Sequence, residues 1–190
     1  MILNGPVVAL CLCAFALLGS LPFVFFRRGS LTRGWWLTAT PFFLDAAVLL
    51  AALARVVTHV IGTAILAWLA VPLAASAMAL TGSAVGANRV PLAMWHQEND
   101  ASVTLVTWGP YGRIRHPLYT SFILMLSAAA AAVPHPATFA LLLLGALQLH
   151  RTARREERRL LRSDLGPAYA DYMRHTGRFV PRLAPSRANG

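Results

Sequence analysis

The apolar residues of this chain come in long unbroken runs, and a run of that kind has few fates open to it. About 20 apolar residues in a helix match the hydrocarbon thickness of a bilayer, and inside lipid only helices and closed barrels satisfy their own backbone. Residues 5–26 form the first run, which ends at Arg27 and Arg28. Residues 36–54 form the second, with Pro41 early in it and Asp45 inside it, and residues 59–81 the third. The link from Arg55 to His59 is short enough to demand an antiparallel hairpin. A polar interval at 82–116 follows, then two further apolar segments at 117–133 and 136–150, parted only by a PHP turn. Both segments open on proline, which the first turn of a helix tolerates. A mean hydropathy of +0.56 agrees with this pattern. The expected fold is all-α: a single domain, 1–190, made of five transmembrane helices with a cytoplasmic C-terminal helical cap.

Charge orients the bundle. All 17 basic residues are arginine, against 7 acidic ones, for a formal charge of +10. An imbalance of that size raises nucleic acid as a partner. A mostly apolar chain explains it better through cytoplasmic arginines and anionic lipid headgroups, so nucleic acid is set aside. Five spans place the arginines at 27–33, 82–116 and beyond 150 on one side. That side is cytoplasmic by the positive-inside rule, and the N-terminus faces out. No basic residue precedes the first run, so a cleavable signal peptide is not expected. Cys11 and Cys13 lie within that run without partner ligands and read as small buried hydrophobes, so no metal site is expected.

Past His150 the fifth helix is expected to continue as an amphipathic cytoplasmic helix through RTARREERRLL. Gly166 and Pro167 break it, and a short helix carrying Tyr169, Tyr172 and Met173 follows. Polar groups therefore gather in two places, the stretch GPYGRIRHPLY before the fourth span and RREERR after the fifth. Because those spans form a hairpin, Arg113, Arg115, His116 and Tyr119 should meet Arg151, Arg154, Glu156 and Glu157. Arginines suit carboxylates and aromatic faces suit cations, an inventory for an amphipathic, zwitterionic small molecule. A thiol nucleophile, a Ser-His-Asp set and a phosphate loop are all missing from it.

GPYGRIRHPLY, the EE pair some forty residues later, and LGPAYADYMRHTGRFVP together resemble the isoprenylcysteine carboxyl methyltransferase family, which is related to phospholipid methyltransferases. The resemblance covers about residues 97–182. It implies an integral membrane enzyme with S-adenosylmethionine as methyl donor and an acceptor arriving from the bilayer. Gln97, Val103, Thr104, Leu105, Val106, Tyr111, His116, Pro117, Leu118, Tyr119 and Glu157 would contact the cofactor. Arg154 or Arg151 would face the acceptor, with His116, Glu157 and Arg154 carrying the catalytic roles. The expected activity is O-methylation of a lipophilic acceptor, foremost the phenolic hydroxyl of an alkylresorcinol-type lipid. A carboxylate, phosphatidylethanolamine or a small thiol are the alternative acceptors, and a lipid-binding membrane scaffold is the non-enzymatic one.

Each of these residues also has a plainer reading. Arg113 and Arg115 suit headgroup anchors, Glu156 and Glu157 suit helix-surface ion pairs, and Tyr169 and Tyr172 suit packing. Asp45 is costly inside a span and so suggests either an ion pair with Arg55 or His59, or a place on the acceptor path. Gly82 and Gly86 have the spacing of a close helix contact, and Trp35, Trp36, Trp95 and Trp108 suit an interfacial belt.

Overall fold

A computed structural model describes residues 5–25, 33–54, 64–87 and 105–182. Among the described residues the chain is all-helical, with helices α1 (Gly5–Phe25), α2 (Arg33–Leu53), α3 (Ala64–Ala87), α4 (Pro117–Ala132), α5 (Pro136–Leu161) and α6 (Gly166–His175). A single 3-10 turn, Gly109–Gly112, precedes α4. Helix α4 is the central element, packed against α1, α2, α3 and α5, and its closest neighbour is α3.

The α3/α4 seam follows from residue size. Ala67, Ala70, Ala74, Ala77 and Ala84 recur at steps of three and four or their sum, and all are buried, with Thr81 on the same stripe. They face α4, whose Ala128 to Ala132 are buried as well. Small side chains let two backbones approach, which is how helices associate where no hydrophobic driving force exists. Thr81 keeps its hydroxyl satisfied by donating to Ala77 O at 2.8 Å. Gly145 of α5 serves the same end, since a Cβ there would lie 2.5 Å from Leu126 Cδ1 on α4.

The outside of the bundle is apolar too. Leu10, Leu17, Phe43, Leu50, Trp68, Leu69, Leu143 and Leu147 are exposed on α1, α2, α3 and α5. One helix, over Ala67–Ala87, is long and apolar enough to cross a membrane, and Gly5–Gly19, Ala39–Leu53 and Pro117–Ala132 are shorter apolar segments among the described residues. A helical protein with leucines and tryptophan on the exterior and alanines inside is built to associate with a membrane.

The α4/α5 hairpin turns at residues 133–135. His135 Nδ1 accepts from Ala137 N at 3.1 Å, and Thr138 Oγ1 donates to Val133 O at 2.8 Å while accepting from His135 N at 3.3 Å. These bonds occupy backbone groups that the helix start leaves open. Helix α5 runs unbroken to Leu161, as its sequence implies.

Helix α3 departs from expectation. It extends to Ala87 rather than stopping near residue 81, because small residues such as Gly82, Ser83 and Gly86 do not break a helix that is held by a neighbour along its length. Among the described residues, a Cβ at Gly82 or Gly86 would meet nothing within 4 Å, so these glycines do not mark a close contact there. Trp108 is not simply a belt residue: its indole Nε1 donates to Ala87 O at 2.9 Å and ties the 3-10 turn to the end of α3. The next residue, Gly109, takes φ of 61°, and its missing side chain lets the turn pass Ala87, whose Cβ would lie 3.0 Å away. Trp95, Arg55 and His59 lie outside the described residues.

Candidate functional site

Two distant pieces of chain meet where α4 begins and α5 ends. Residues 113–116 run alongside residues 177–178 as a short parallel bridge: Gly177 N donates to Arg113 O at 3.1 Å, Arg115 N to Gly177 O at 2.8 Å, and His116 N to Arg178 O at 3.1 Å. Thr120 Oγ1 adds a bond to Phe179 O at 2.9 Å. The strap after α6 turns so sharply that a Cβ at Gly177 would fall 1.7 Å from Val180 O, which leaves glycine as the residue that fits. Upstream, Gly166 is held to the same requirement by Leu161 O, 2.5 Å from where its Cβ would stand.

This strap closes over Glu157, which is 3% exposed. Arg115 Nε donates to Glu157 Oε1 at 2.9 Å. Arg178 approaches from the other side, with Nη2 on Oε2 at 2.5 Å and Nε 3.0 Å from both oxygens. Arg115 also donates through Nη1 to the carbonyls of Thr176 and Met173, which fixes the end of α6. Burial alone would push the Glu157 carboxyl up. His116, Arg178 and Arg115 more than reverse this and hold it well below the usual carboxylate range. The arginines stand at 2.5 to 3.0 Å from the carboxylate and His116 Nε2 at 3.4 Å. Arg178, for its part, is raised by its bond to Glu157.

His116 sits between the two glutamates. Its Nδ1 is 3.6 Å from Glu156 Oε2, and its Nε2 is buried with no hydrogen-bond partner among the described residues. The imidazole stacks on Tyr119 at a centroid distance of 5.1 Å and lies 6.1 Å from the ring of Phe179. Tyr119 Oη donates to Glu156 Oε1 at 2.5 Å. Glu156 is raised, chiefly by loss of solvation, with His116, Tyr119 and Arg159 pulling it down. The adjacent acids thus lean in opposite directions. Glu157 is held as an anion by the two guanidiniums, whereas burial pulls Glu156 the other way. Below them, Tyr172 Oη donates to Tyr111 O at 2.6 Å, and burial raises the Tyr172 phenol to about 12. Tyr169 is buried beside it and is likewise raised by burial.

The structure therefore brings together His116, Tyr119 and Glu157, with Pro117 and Leu118 buried in the first turn of α4 and Tyr111 at the edge. Leu105 and Val106 are half-buried ahead of the 3-10 turn. Arg151 and Arg154 are exposed on α5, while Ala153 shares the buried face with Glu157. Asp45 is on α2, fully buried, and neither of its oxygens has a partner among the described residues. Gln97, Val103 and Thr104 lie outside the described residues. Arg115 is not a headgroup anchor, since its side chain is 8% exposed and is spent on Glu157. Arg178 has no assigned role in the sequence reading. Its signal is an arginine in a glycine-flanked turn, which acquires meaning only once the strap is seen to cross residues 113–116. Among the described residues no three His, Cys, Asp or Glu side chains converge as metal ligands.

The chain matches no family model and no solved structure. It is similar to the cobalt-zinc-cadmium resistance protein CzcN of Cupriavidus metallidurans, 40% identical over 81 residues, which cover 43% of this chain and 37% of that one. It is also similar to the nickel-cobalt-cadmium resistance protein NccN of Alcaligenes xylosoxydans xylosoxydans, 34% identical over 87 residues, 46% of this chain and 40% of that one. The chain thus spans less than half the length of the curated relatives it matches. Those relatives are metal-resistance proteins by name, not methyltransferases. They overturn the resemblance to the isoprenylcysteine carboxyl methyltransferase family, and with it the transfer of a methyl group to a phenolic lipid or to any of the alternative acceptors. The geometry supplies a physical reason why the motif misleads. RHPLY and the acidic pair are what this chain needs to build the Arg115–Glu157–Arg178 cage and to start α4, whatever chemistry follows.

Proposed function

We propose that this chain is a multi-pass membrane component of resistance to divalent transition-metal cations. The observation that carries this reading is the likeness to the two metal-resistance proteins. Helices α1 to α5 cross the bilayer in this reading, with the N-terminus outside and the Glu157 cage in the cytoplasm. Leucines, phenylalanines and a tryptophan exposed along α1, α2, α3 and α5 support the crossings, and the arginines after His150 support the orientation. The test is growth of the host with the gene deleted and then restored, in graded cobalt, zinc, cadmium and nickel. Deletion should lower tolerance to at least one cation and restoration should recover it. Unchanged tolerance to all four would sink the reading.

Within that role the cage is a candidate small-molecule site, with His116 between the two carboxylates, 3.6 Å from Glu156 and 3.4 Å from Glu157. S-adenosylmethionine, which rests on the motif resemblance alone, is one ligand to titrate, and binding that disappears in His116→Ala would identify the site. A second reading makes the chain an enzyme. It is favoured by the run from Tyr119 through Glu156 to His116, which places a carboxyl group beside an imidazole.

A further inference from the structure

Beyond the Glu157 cage, the outer face of α5 carries an open hollow of about 460 Å³ lined by Arg155, Arg158, Arg159, Arg162 and Ser163. The four arginines stand at steps of three and four, so they share one side of the helix and its end, and all are exposed. Like charges at that spacing repel. Among the described residues none of the four is within ion-pair distance of a carboxylate; of the two acids between Arg155 and Arg158, Glu157 is held by Arg115 and Arg178, and Glu156 accepts from Tyr119 while feeling Arg159 only at longer range. The helix dipole welcomes cations in the last turn and so accounts for Arg158 and Arg159, but it does not require a concave cluster that begins at Arg155.

We propose that this hollow binds a phosphate-bearing anion. Guanidinium groups present planar pairs of donors that match phosphate oxygens, and four of them around one concavity surround such a group on several sides. The partial negative charge of the helix end opposes an anion only weakly here. Its carbonyls are already engaged, with Arg162 N donating to Arg159 O at 3.1 Å and Ser163 N to Leu160 O at 3.2 Å. Ser163 Oγ is likewise spent on the turn, donating to Leu160 O at 2.8 Å, so recognition falls to the arginines. Two sources of phosphate can reach the site. The same helix exposes Leu143 and Leu147 before the arginines begin, and at about 1.5 Å per residue Arg155 stands ~12 Å beyond Leu147, just past a headgroup layer to which its long side chain can reach back. Arg162 stands farther out, toward soluble phosphates.

The inference is independent of metal resistance, and so is its test. Full-length protein in nanodiscs of phosphatidylcholine is titrated with inorganic pyrophosphate by calorimetry, while discs containing phosphatidylglycerol are scored by native mass spectrometry for lipid retained on the protein. The expected result is binding in at least one arm, weakened about tenfold or more in the R158Q/R162Q double variant. That variant should keep the parent's unfolding midpoint, because both side chains are exposed. Pyrophosphate binding in neutral discs assigns the soluble source, and retained phosphatidylglycerol with no pyrophosphate binding assigns the headgroup. Binding in neither arm, or binding that the double variant leaves intact, overturns the proposal.

Discussion

The α3/α4 seam and the Glu157 cage are built on opposite principles. The seam contains almost nothing but alanine, and its cohesion comes from many small contacts spread along two helices. The cage has one carboxylate, two guanidiniums and an imidazole, and with the backbone bridge beside it joins three stretches of chain. Dispersion and shape are divisible, so the seam should degrade gradually as residues change. A buried ion cluster is not divisible, because removing one member leaves the others charged and desolvated. The seam thus supplies cohesion, and the cage fixes one particular geometry at one end of the bundle.

That contrast can be broken most severely at Glu157. Glu157→Ala should cost about 3–5 kcal/mol, the toll of leaving buried charges unpaired, and should free the strap, seen as a lowered unfolding midpoint and rapid proteolysis after α6. Acid should reproduce part of this loss. Because the folded Glu157 carboxyl is held down, its stabilisation is full above the ordinary carboxyl range and disappears as pH falls through the depressed value. For one proton the steepest loss is about 1.4 kcal/mol per pH unit. Glu156 has the opposite sign, contributing at low pH and losing its contribution as pH rises through its raised value. Denaturant unfolding at pH 7 and pH 3 should therefore show acid destabilisation that Glu157→Gln abolishes.

A matched pair of crowding variants sharpens the comparison at the next level. Ala77→Leu in the seam and Gly177→Ala in the strap should each cost about 1–3 kcal/mol. Hydrogen exchange separates them: the seam variant should loosen α3 and α4 along their length, whereas the strap variant should loosen residues 113–116 and 176–180 alone. A uniform response to both would mean that the two regions are not distinct. The smallest expected effect is Tyr172→Phe, which removes the 2.6 Å bond to Tyr111 O and should cost about 0.5–1.5 kcal/mol, read from the thermal midpoint.

Much of the helical layout is legible in the sequence because the apolar residues come in long runs and proline marks helix starts. Pro117, Pro136 and the Gly166-Pro167 break all fall where helices begin. The end of α3 is not legible, since Gly82 and Ser83 look like loop residues until their helix has a neighbour to pack on. The meeting of His116, Tyr119 and the acidic pair is implied by the hairpin that joins α4 to α5. Arg178 is beyond reach, because its partner is 21 residues away across a turn that depends on a single glycine. The functional inference failed for a related reason. A short polar motif records what a fold needs locally as well as what a family does, and residues alone do not separate the two.

The position of Arg178 in the chain sets a timetable for biosynthesis. Translation delivers Arg115 first, Glu157 next and Arg178 last, so the cage has all its members only once the strap has been made. A chain that stops between Glu157 and Arg178 would leave Glu157 with one guanidinium where the complete cage gives it two. Closure of the cage thus falls to the segment that is synthesised after both helices it joins.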